Sequence, residues 1–202
     1  MFIAAHVSTI VTWKALRPRV NFIRLKAAVL RAHCHGFGFV DSTIKPNWGQ
    51  PVTEADLLPF VNAQAPVYSQ VIEELTAGCK QTHWMWFIFP QLKGLGHSPM
   101  AQRYAIRDLD QATRYLADPI LGSRLRHDVR LMMGHKGKSA LEILGSPDDL
   151  KFRSCLTLFG QVGSDKSDRM LFIEALDQFY GGKPDPRTLE LLSMLPSQKY
   201  SP

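Results

Sequence analysis

Residues 82–91 form the densest aromatic stretch of the chain and contain groups that could bind a planar ligand. They read THWMWFIFPQ, so that His83, Trp84, Trp86 and Gln91 follow one another closely. Indole rings offer flat apolar surface, while an imidazole and an amide can hydrogen-bond to a polar group. Large aromatic side chains are usually buried, so we expect most of this stretch to build the core. Its polar members predict one wall of a pocket.

A glycine-containing loop, KGLGHS at residues 93–98, follows directly. Glycine lets the backbone approach a neighbour closely, and Ser98-Pro99 predicts a helix N-terminus with free N–H groups beside it. The Gly-x-Gly alone does not indicate a dinucleotide site, because the preceding strand and the third glycine of that fingerprint are lacking.

A second set of candidate ligand-binding residues lies in the stretch 148–159, where Lys151 and Arg153 stand among acids and hydroxyl groups. The two cations could bind an anionic group, with His83 as the residue that titrates near neutral pH. In the alternative interpretation, Asp149 and Arg153 form an ordinary i,i+4 pair on a helix surface. Such a pair contributes only a few tenths of a kcal/mol, roughly.

Other chemistries lack a pattern that would indicate them. No Gly-x-Ser-x-Gly elbow marks Ser98 or Ser154, and Cys155 has the apolar neighbours of a buried small residue. The three cysteines form no CxxC pair, which argues against a disulfide framework or a zinc site and favours a reducing compartment, the cytoplasm. His33-Cys34-His35 supplies too few ligands for a metal. We therefore expect neither a metal nor a cofactor.

Helices are the elements that must position these residues. Capping residues, apolar positions spaced three and four apart, and glycine or proline terminators recur from Thr53 onward. They predict an all-α fold, a single multihelical bundle domain of about seven helices. The predicted helices cover residues 53–77, 98–116, 119–132, 139–145, from 146, 167–180 and 185–195, with a further central helix at 82–90.

The first fifty residues look unlike the rest. They hold seven of the 24 basic residues and one acid, Asp41, so that they carry the whole net charge of +6. We predict a basic N-terminal extension over residues 1–50 and a helical domain over 51–202. The extension has the composition of a mitochondrial transit peptide, although a poorly packed appendage or an upstream start codon fits equally well.

The balanced charge of residues 51–202 argues against nucleic-acid binding by the helical domain, which has no excess charge to neutralise phosphates. No apolar run reaches the roughly 20 residues that a membrane-spanning helix needs. We therefore expect a soluble domain with no nucleic-acid or membrane partner. The sequence does not indicate a protein partner.

Six stretches resemble the family known as domain of unknown function 1810. Together they run in order from about residue 56 to residue 192, which is far more specific than one motif. They are residues 83–91 (HWMWFIFPQ), 94–96 (GLG), 104–106 (YAI), 119–125 (PILGSRL), 148–159 (DDLKFRSCLTLF) and 185–189 (DPRTL). The resemblance implies a multihelical domain and carries no established activity or catalytic residues. Some members are labelled calpastatin, but calpastatins are disordered chains, whereas this one can form a core.

Two hypotheses on function follow. The first is a domain that binds, or acts on, a small polar or nucleotide-like metabolite, with a site drawn from His83, Trp84, Trp86, Gln91, Lys151 and Arg153. The second is a non-enzymatic protein-interaction module whose aromatic segment is entirely core. Convergence of His83, Gln91 and Arg153 in one concavity would favour the first, and their scatter over the surface would favour the second.

Overall fold

Apolar positions at helical spacing produce an all-α domain, as the sequence predicts. The computed structural model describes residues 56–163 and 166–195, which contain ten α-helices and no strand. The helices are α1 (Leu58–Gln64), α2 (Tyr68–Ala77), α3 (Met85–Ile88), α4 (Pro99–Arg103), α5 (Leu109–Ala117), α6 (Leu121–Gly134), α7 (Ala140–Leu144), α8 (Asp148–Val162), α9 (Lys166–Tyr180) and α10 (Pro186–Met194).

Helix α8 is the centre of the domain. From Ser154 to Phe159 every side chain is buried, and a helix that is buried on all sides must lie inside the fold. It packs against α5, α7, α9 and α10, while α6 packs against α2, α5 and α9. The first turns of α8 and the start of α10 both belong to the site described below.

Several predicted helix ends are confirmed in detail. The side chains of Ser98, Ser139 and Asp185 each accept a hydrogen bond from the backbone N–H three residues on, as N-caps do. Ser139 and Glu142 form the predicted capping box. Gly78 follows the last residue of α2.

The predicted helix 53–77 is wrong as a single element, because it is divided into α1 and α2. Pro66 lies at the division, and proline has no N–H to continue the helical hydrogen bonds. The N–H of its neighbour Val67 donates to the Gln64 carbonyl in a turn, and Val67 is the N-cap of α2. The predicted cap, Thr53, lies outside the described residues.

The predicted helix 98–116 is likewise two helices, α4 and α5. Asp108, which the sequence analysis did not select, caps α5 by accepting a hydrogen bond from the Gln111 N–H at 2.8 Å. The predicted helix 82–90 is reduced to the single turn of α3, and Thr82 does not cap it. These divisions raise the number of helices above the predicted seven.

Among the described residues, every helix is too short or too polar to span a bilayer. The basic extension, residues 1–50, lies outside the described residues, so its proposed role as a targeting sequence remains a prediction.

Candidate functional site

An open cleft of about 490 Å³ lies where four parts of the chain meet, and we call it the Trp86 cleft. Its size falls within the range of about 300–1,000 Å³ that is usual for small-molecule sites. The parts are the segment around α3, the loop before α4, the first turns of α8 and the start of α10. The lining residues are Trp86, Gln91, Leu95, Gly96, His97, Ser98, Ala101, Pro147, Leu150, Lys151, Ser154, Asp185 and Arg187.

Backbone pairing holds the Gln91 wall of the cleft in place. The N–H of Ile106 donates to the Gln91 carbonyl at 2.8 Å, and the N–H of Lys93 donates to the Ile106 carbonyl at 2.7 Å. Leu92 and Ile106 thus form an isolated parallel β-bridge. Since Leu92 and Ile106 are both buried, this bridge fixes where Gln91 enters the cleft.

The two glycines of the loop 93–98 shape the backbone for packing within the protein. Gly94 has a φ of +99°, which residues with a side chain rarely adopt. A Cβ at Gly96 would come within 2.4 Å of the Ala101 Cβ, so only glycine fits against α4 here. Gly96 therefore packs closely against α4, and this contact positions the loop that lines the cleft.

Trp86 and Lys151 form the opposite wall of the cleft. Trp86 is half-buried, and the Lys151 Nζ lies 5.1 Å from the centre of its indole ring. The same Nζ lies 2.7 Å from Oδ1 of Asp148, three residues earlier in α8. An ammonium group over an indole ring is an attractive cation–π arrangement.

Asp148 binds a second lysine with its other oxygen. The Lys80 Nζ lies 2.7 Å from the Asp148 Oδ2 and 5.1 Å from the centre of the Trp84 ring. Burial would raise the pKa of Asp148, but the hydrogen bonds and positive charges of Lys151 and Lys80 outweigh it and hold that pKa below its usual value. Lys80 and Asp148 are far apart in sequence, and no local pattern predicts their contact.

Trp84, predicted to bind ligand, lies in the core with 1 % of its surface exposed. Its indole N–H donates to the Glu74 carboxylate at 2.8 Å, and the backbone N–H groups of Gln81 and Thr82 donate to the same oxygen. The Thr82 hydroxyl donates to the other oxygen at 2.7 Å. Burial would raise the pKa of Glu74, but these four hydrogen bonds outweigh it and lower that pKa.

His83 and Arg153 lie outside the cleft. His83 is exposed, and Arg153 donates to the carbonyls of Lys183 and Pro184 at 3.0 and 3.1 Å. Within the described residues, no ion pair joins Arg153 to Asp149. The convergence of His83, Gln91 and Arg153 that would favour a metabolite site is thus not observed.

A different set does converge. Trp86, Gln91 and Lys151 share the cleft, and the structure adds His97 and Arg187, which the sequence analysis did not select as site residues. Arg187 follows directly after the N-cap and first residue of α10, inside the last stretch that resembles the family. Its place in that stretch is the sequence feature that could have identified Arg187 as a candidate site residue.

The hydroxyl groups of the cleft are engaged with the backbone. The Ser98 Oγ accepts from the Ala101 N–H at 3.1 Å, and the Ser154 Oγ donates to the Leu150 carbonyl at 3.1 Å. Cys155 is fully buried, and burial raises the pKa of its thiol well above the usual value. These groups are therefore not arranged as activated nucleophiles. In the described part of the chain, no three His, Cys, Asp or Glu residues lie close enough together to hold a metal ion.

The chain belongs to the family described as a protein of unknown function, domain of unknown function 1810, whose model matches residues 54–192. It is also similar to the conserved hypothetical protein Rv1873 from Mycobacterium tuberculosis, whose crystal structure was solved at 1.38 Å. The two are 48 % identical, the match covers 69 % of this chain and 98 % of that one, and the TM-score is 0.66. No curated protein matches the chain.

The Trp86 cleft gathers the stretches that carry the family resemblance. Four of those six stretches, at residues 83–91, 94–96, 148–159 and 185–189, contribute lining residues. The stretch 104–106 contributes indirectly, since Ile106 pairs with the backbone of Gln91. The cleft is thus built mainly from the segments that make this chain a member of its family.

Proposed function

We propose that the Trp86 cleft binds a small polar metabolite with a planar ring, such as a nucleotide. The observation that carries the proposal is the convergence of Trp86, Gln91 and Lys151 with Arg187 in one concavity, from segments that are remote in sequence.

Each of these side chains offers a distinct contact. The half-buried indole of Trp86 presents flat apolar surface on which a ring can stack, and Leu95 and Leu150 extend that apolar wall. The Gln91 amide offers both a donor and an acceptor to the edge of a heterocycle. Lys151 and Arg187 supply positive charge. Apolar walls with a few convergent polar groups are typical of metabolite sites.

The contacts favour binding over nucleophilic catalysis. The hydroxyls of Ser98 and Ser154 are engaged with the backbone, and Cys155 is buried and protonated. The proposal therefore assigns no catalytic residue.

A thermal-shift screen of the full chain against nucleotides, nucleosides and other planar metabolites tests the proposal. A ligand that binds only the native state raises the melting temperature, by an amount set by its concentration relative to Kd. We expect Trp86→Leu and Gln91→Leu to abolish the shift that a hit produces. Arg187→Gln should weaken it, while Arg130→Gln, which changes an exposed arginine of α6 outside the cleft, should leave it intact. Equal loss in Arg187→Gln and Arg130→Gln, or no hit at all, would contradict the proposal.

A second candidate function, a protein-interaction module, has one observation in its favour. A larger groove of about 860 Å³ lies between the end of α6 and α9, and its walls include Met133, Ile173 and Phe179. Ile173 is 45 % exposed, which is unusual for isoleucine. A photo-crosslinking residue at Ile173 should then capture a protein partner in cells. Capture that persists in Trp86→Leu would assign the partner to this groove, and its absence would remove the support.

A reducing compartment such as the cytoplasm suits the cysteines. Cys79 is exposed and Cys155 is buried, and both are free thiols. The alternative, import into mitochondria, depends on residues 1–50. Fusing those residues to a fluorescent protein and imaging its location separates the two.

A further inference from the structure

We infer that the ligand of the Trp86 cleft carries a phosphate group, bound by Lys151 with help from Arg187, and that Lys80 and Asp148 are positioning residues that keep Lys151 available for it. This inference rests on the proposed function, because it names the chemical class of the ligand of the same site.

The wall of the cleft around Asp148 carries more positive than negative charge. Lys80 and Lys151 each place an ammonium group 2.7 Å from a different oxygen of the single carboxylate of Asp148. The low pKa of Asp148 keeps it ionised, so that one negative charge faces two positive charges. A half-buried cation that lacks a full counter-charge is stabilised when an anion binds beside it.

Of the two lysines that bind Asp148, only Lys151 lines the cleft, where a ligand can reach it. The Lys80 side chain is 9 % exposed and lies over Trp84, a core residue, so both its charge and its stem are enclosed. The Lys151 side chain is 21 % exposed and lines the cleft. An ammonium group has three N–H donors, and Asp148 occupies one of those of Lys151. Lys80 thus neutralises Asp148 from the closed side, and Lys151 remains the cation of the open side.

The lining contains one carboxylate, that of Asp185, against the two cations Lys151 and Arg187, so it keeps a net positive charge. The Asp185 Oδ2 accepts from both the backbone N–H and the hydroxyl of Thr188, at 2.8 and 2.5 Å, as the N-cap of α10. Arg187 pairs with Glu190 at 2.6 Å, but both side chains are about half exposed. Exposed pairs of this kind are weak and exchange readily with other partners. Arg187 can therefore turn to an anion in the cleft.

Phosphate is the anion that this set favours. Its several oxygens can accept from the Lys151 ammonium and from the Arg187 guanidinium together, and both residue types are common phosphate ligands. Combined with a ring on Trp86, the inferred ligand is a nucleoside monophosphate or a similar phosphorylated aromatic metabolite.

The test compares AMP, adenosine and inorganic phosphate as probes of the full chain. Kd is measured by calorimetry and by the indole N–H signals in ¹⁵N-resolved spectra. The Trp86 signal should shift with AMP and with adenosine, while the signal of the buried Trp84 is the internal control. We expect AMP to bind at least about tenfold more tightly than adenosine, because a charge-assisted contact is added. Raising the salt concentration should weaken AMP binding but leave adenosine binding nearly unchanged.

Three variants locate the charge. Lys151→Met should remove the preference for AMP, so that the Kd values of AMP and adenosine become about equal. Lys80→Met should reduce the same preference several-fold, although Lys80 does not line the cleft, because Asp148 then neutralises Lys151. Asp148→Asn should preserve or increase the preference. A residue with a purely structural role would change the Kd of both probes together, so the ratio of the two Kd values is the deciding readout.

The outcomes separate the inference from the proposed function. If adenosine and AMP bind equally well to the cleft and Lys151→Met changes neither Kd, the phosphate inference is overturned while the proposed function stands. Binding of inorganic phosphate alone, without any shift of Trp86 by AMP or adenosine, contradicts both. If Lys80→Met does not fold, Lys151→Met and Asp148→Asn still decide, because an unchanged Kd ratio in Lys151→Met, or a loss of the preference in Asp148→Asn, overturns the inference.

Discussion

Trp84 and Trp86 are two residues apart, and each has a lysine beside its ring. Each indole ring lies 5.1 Å from a lysine ammonium group, Lys80 for Trp84 and Lys151 for Trp86, and both lysines bind Asp148. Yet Trp84 is 1 % exposed and donates its indole N–H to Glu74, whereas Trp86 is half-buried and lines a cleft. The same pair of residue types is thus part of the core on one side and accessible to a ligand on the other.

The geometry of a helical turn explains the difference. Trp84 is the N-cap of α3 and Trp86 lies within that helix, and residues two apart in a helix do not face the same side. One ring must enter the core if the other faces out. The buried ring then needs a partner for its N–H, which the Glu74 carboxylate supplies. We therefore expect Trp84 to matter for stability and Trp86 for binding.

The largest expected effect is on the core side. Trp84→Ala should lower the free energy of unfolding by ~3–5 kcal/mol, since it leaves a cavity and removes one of the four hydrogen bonds of Glu74. Trp86→Ala should cost less, because part of its ring is already exposed. Urea denaturation of both variants measures the two values. Equal losses would show that the rings do not differ as the comparison requires.

Asp128 is a second buried carboxylate, and it accepts fewer hydrogen bonds than Glu74 does. Asp128 of α6 is 1 % exposed, its Oδ1 accepts from the Tyr68 hydroxyl at 3.0 Å, and its Oδ2 has no hydrogen-bond partner. Arg124 stacks over Tyr68 and donates to Gln64. Burial, only partly offset by the Tyr68 hydrogen bond and the charge of Arg124, raises the pKa of Asp128 from 3.8 to about 7.

Asp128 should therefore make stability depend on pH. Between pH ~4 and ~7 the folded chain holds a proton that the unfolded chain has lost, so stability falls as pH rises, by at most ~1.4 kcal/mol per pH unit. Below pH ~4 this loss is absent, and above pH ~7 it is complete. Subtracting the pH profile of Asp128→Asn from that of the wild type isolates the effect. A flat difference over this range would show that Asp128 ionises in the folded state as readily as in the unfolded state.

Glu74 tests the hydrogen-bonded side at a smaller magnitude. Glu74→Gln keeps the size of the side chain but turns one acceptor oxygen into a donor, which faces the donors of Thr82 and Trp84. We expect a loss of ~1–3 kcal/mol, the usual cost of an unsatisfied buried group. Thermal or urea unfolding measures it, with Glu73→Gln at the exposed neighbouring position as the control. A loss no greater than that of the control would mean that the four hydrogen bonds to Glu74 contribute little.

The smallest effects concern His83 and Arg153, the two predicted site residues that lie neither in the cleft nor in the core. Arg153→Ala removes two hydrogen bonds to the segment before α10 and should cost ~1 kcal/mol. His83→Ala, at an exposed position, should stay within ~0.5 kcal/mol of the wild type. Neither change should alter ligand binding in the Trp86 cleft. A hit in the thermal-shift screen that loses affinity in His83→Ala would return His83 to the site.

Helix ends could be predicted from the sequence where the capping contact joins residues that are close in the chain. Ser98, Ser139 and Asp185 cap helices because a short polar side chain reaches a backbone N–H three residues away. Such contacts need no distant partner, so they can be predicted from spacing. Pro66 also indicates a helix break. The apolar spacing continues on both sides of it, however, and favoured the wrong prediction of one helix in place of α1 and α2.

The all-α class, several of the helix ends and the family could be predicted from the sequence, because these depend on near neighbours and on ordered stretches of residues. Only the tertiary structure decided that Trp84 is buried, that Trp86, Gln91, Lys151 and Arg187 meet, and that Lys80 shares Asp148 with Lys151. This is because α8, which is buried on all sides from Ser154 to Phe159, brings together segments separated by dozens of residues. Apolar periodicity predicts which face of a helix is buried, whereas the packing of the other helices determines which residues that face contacts.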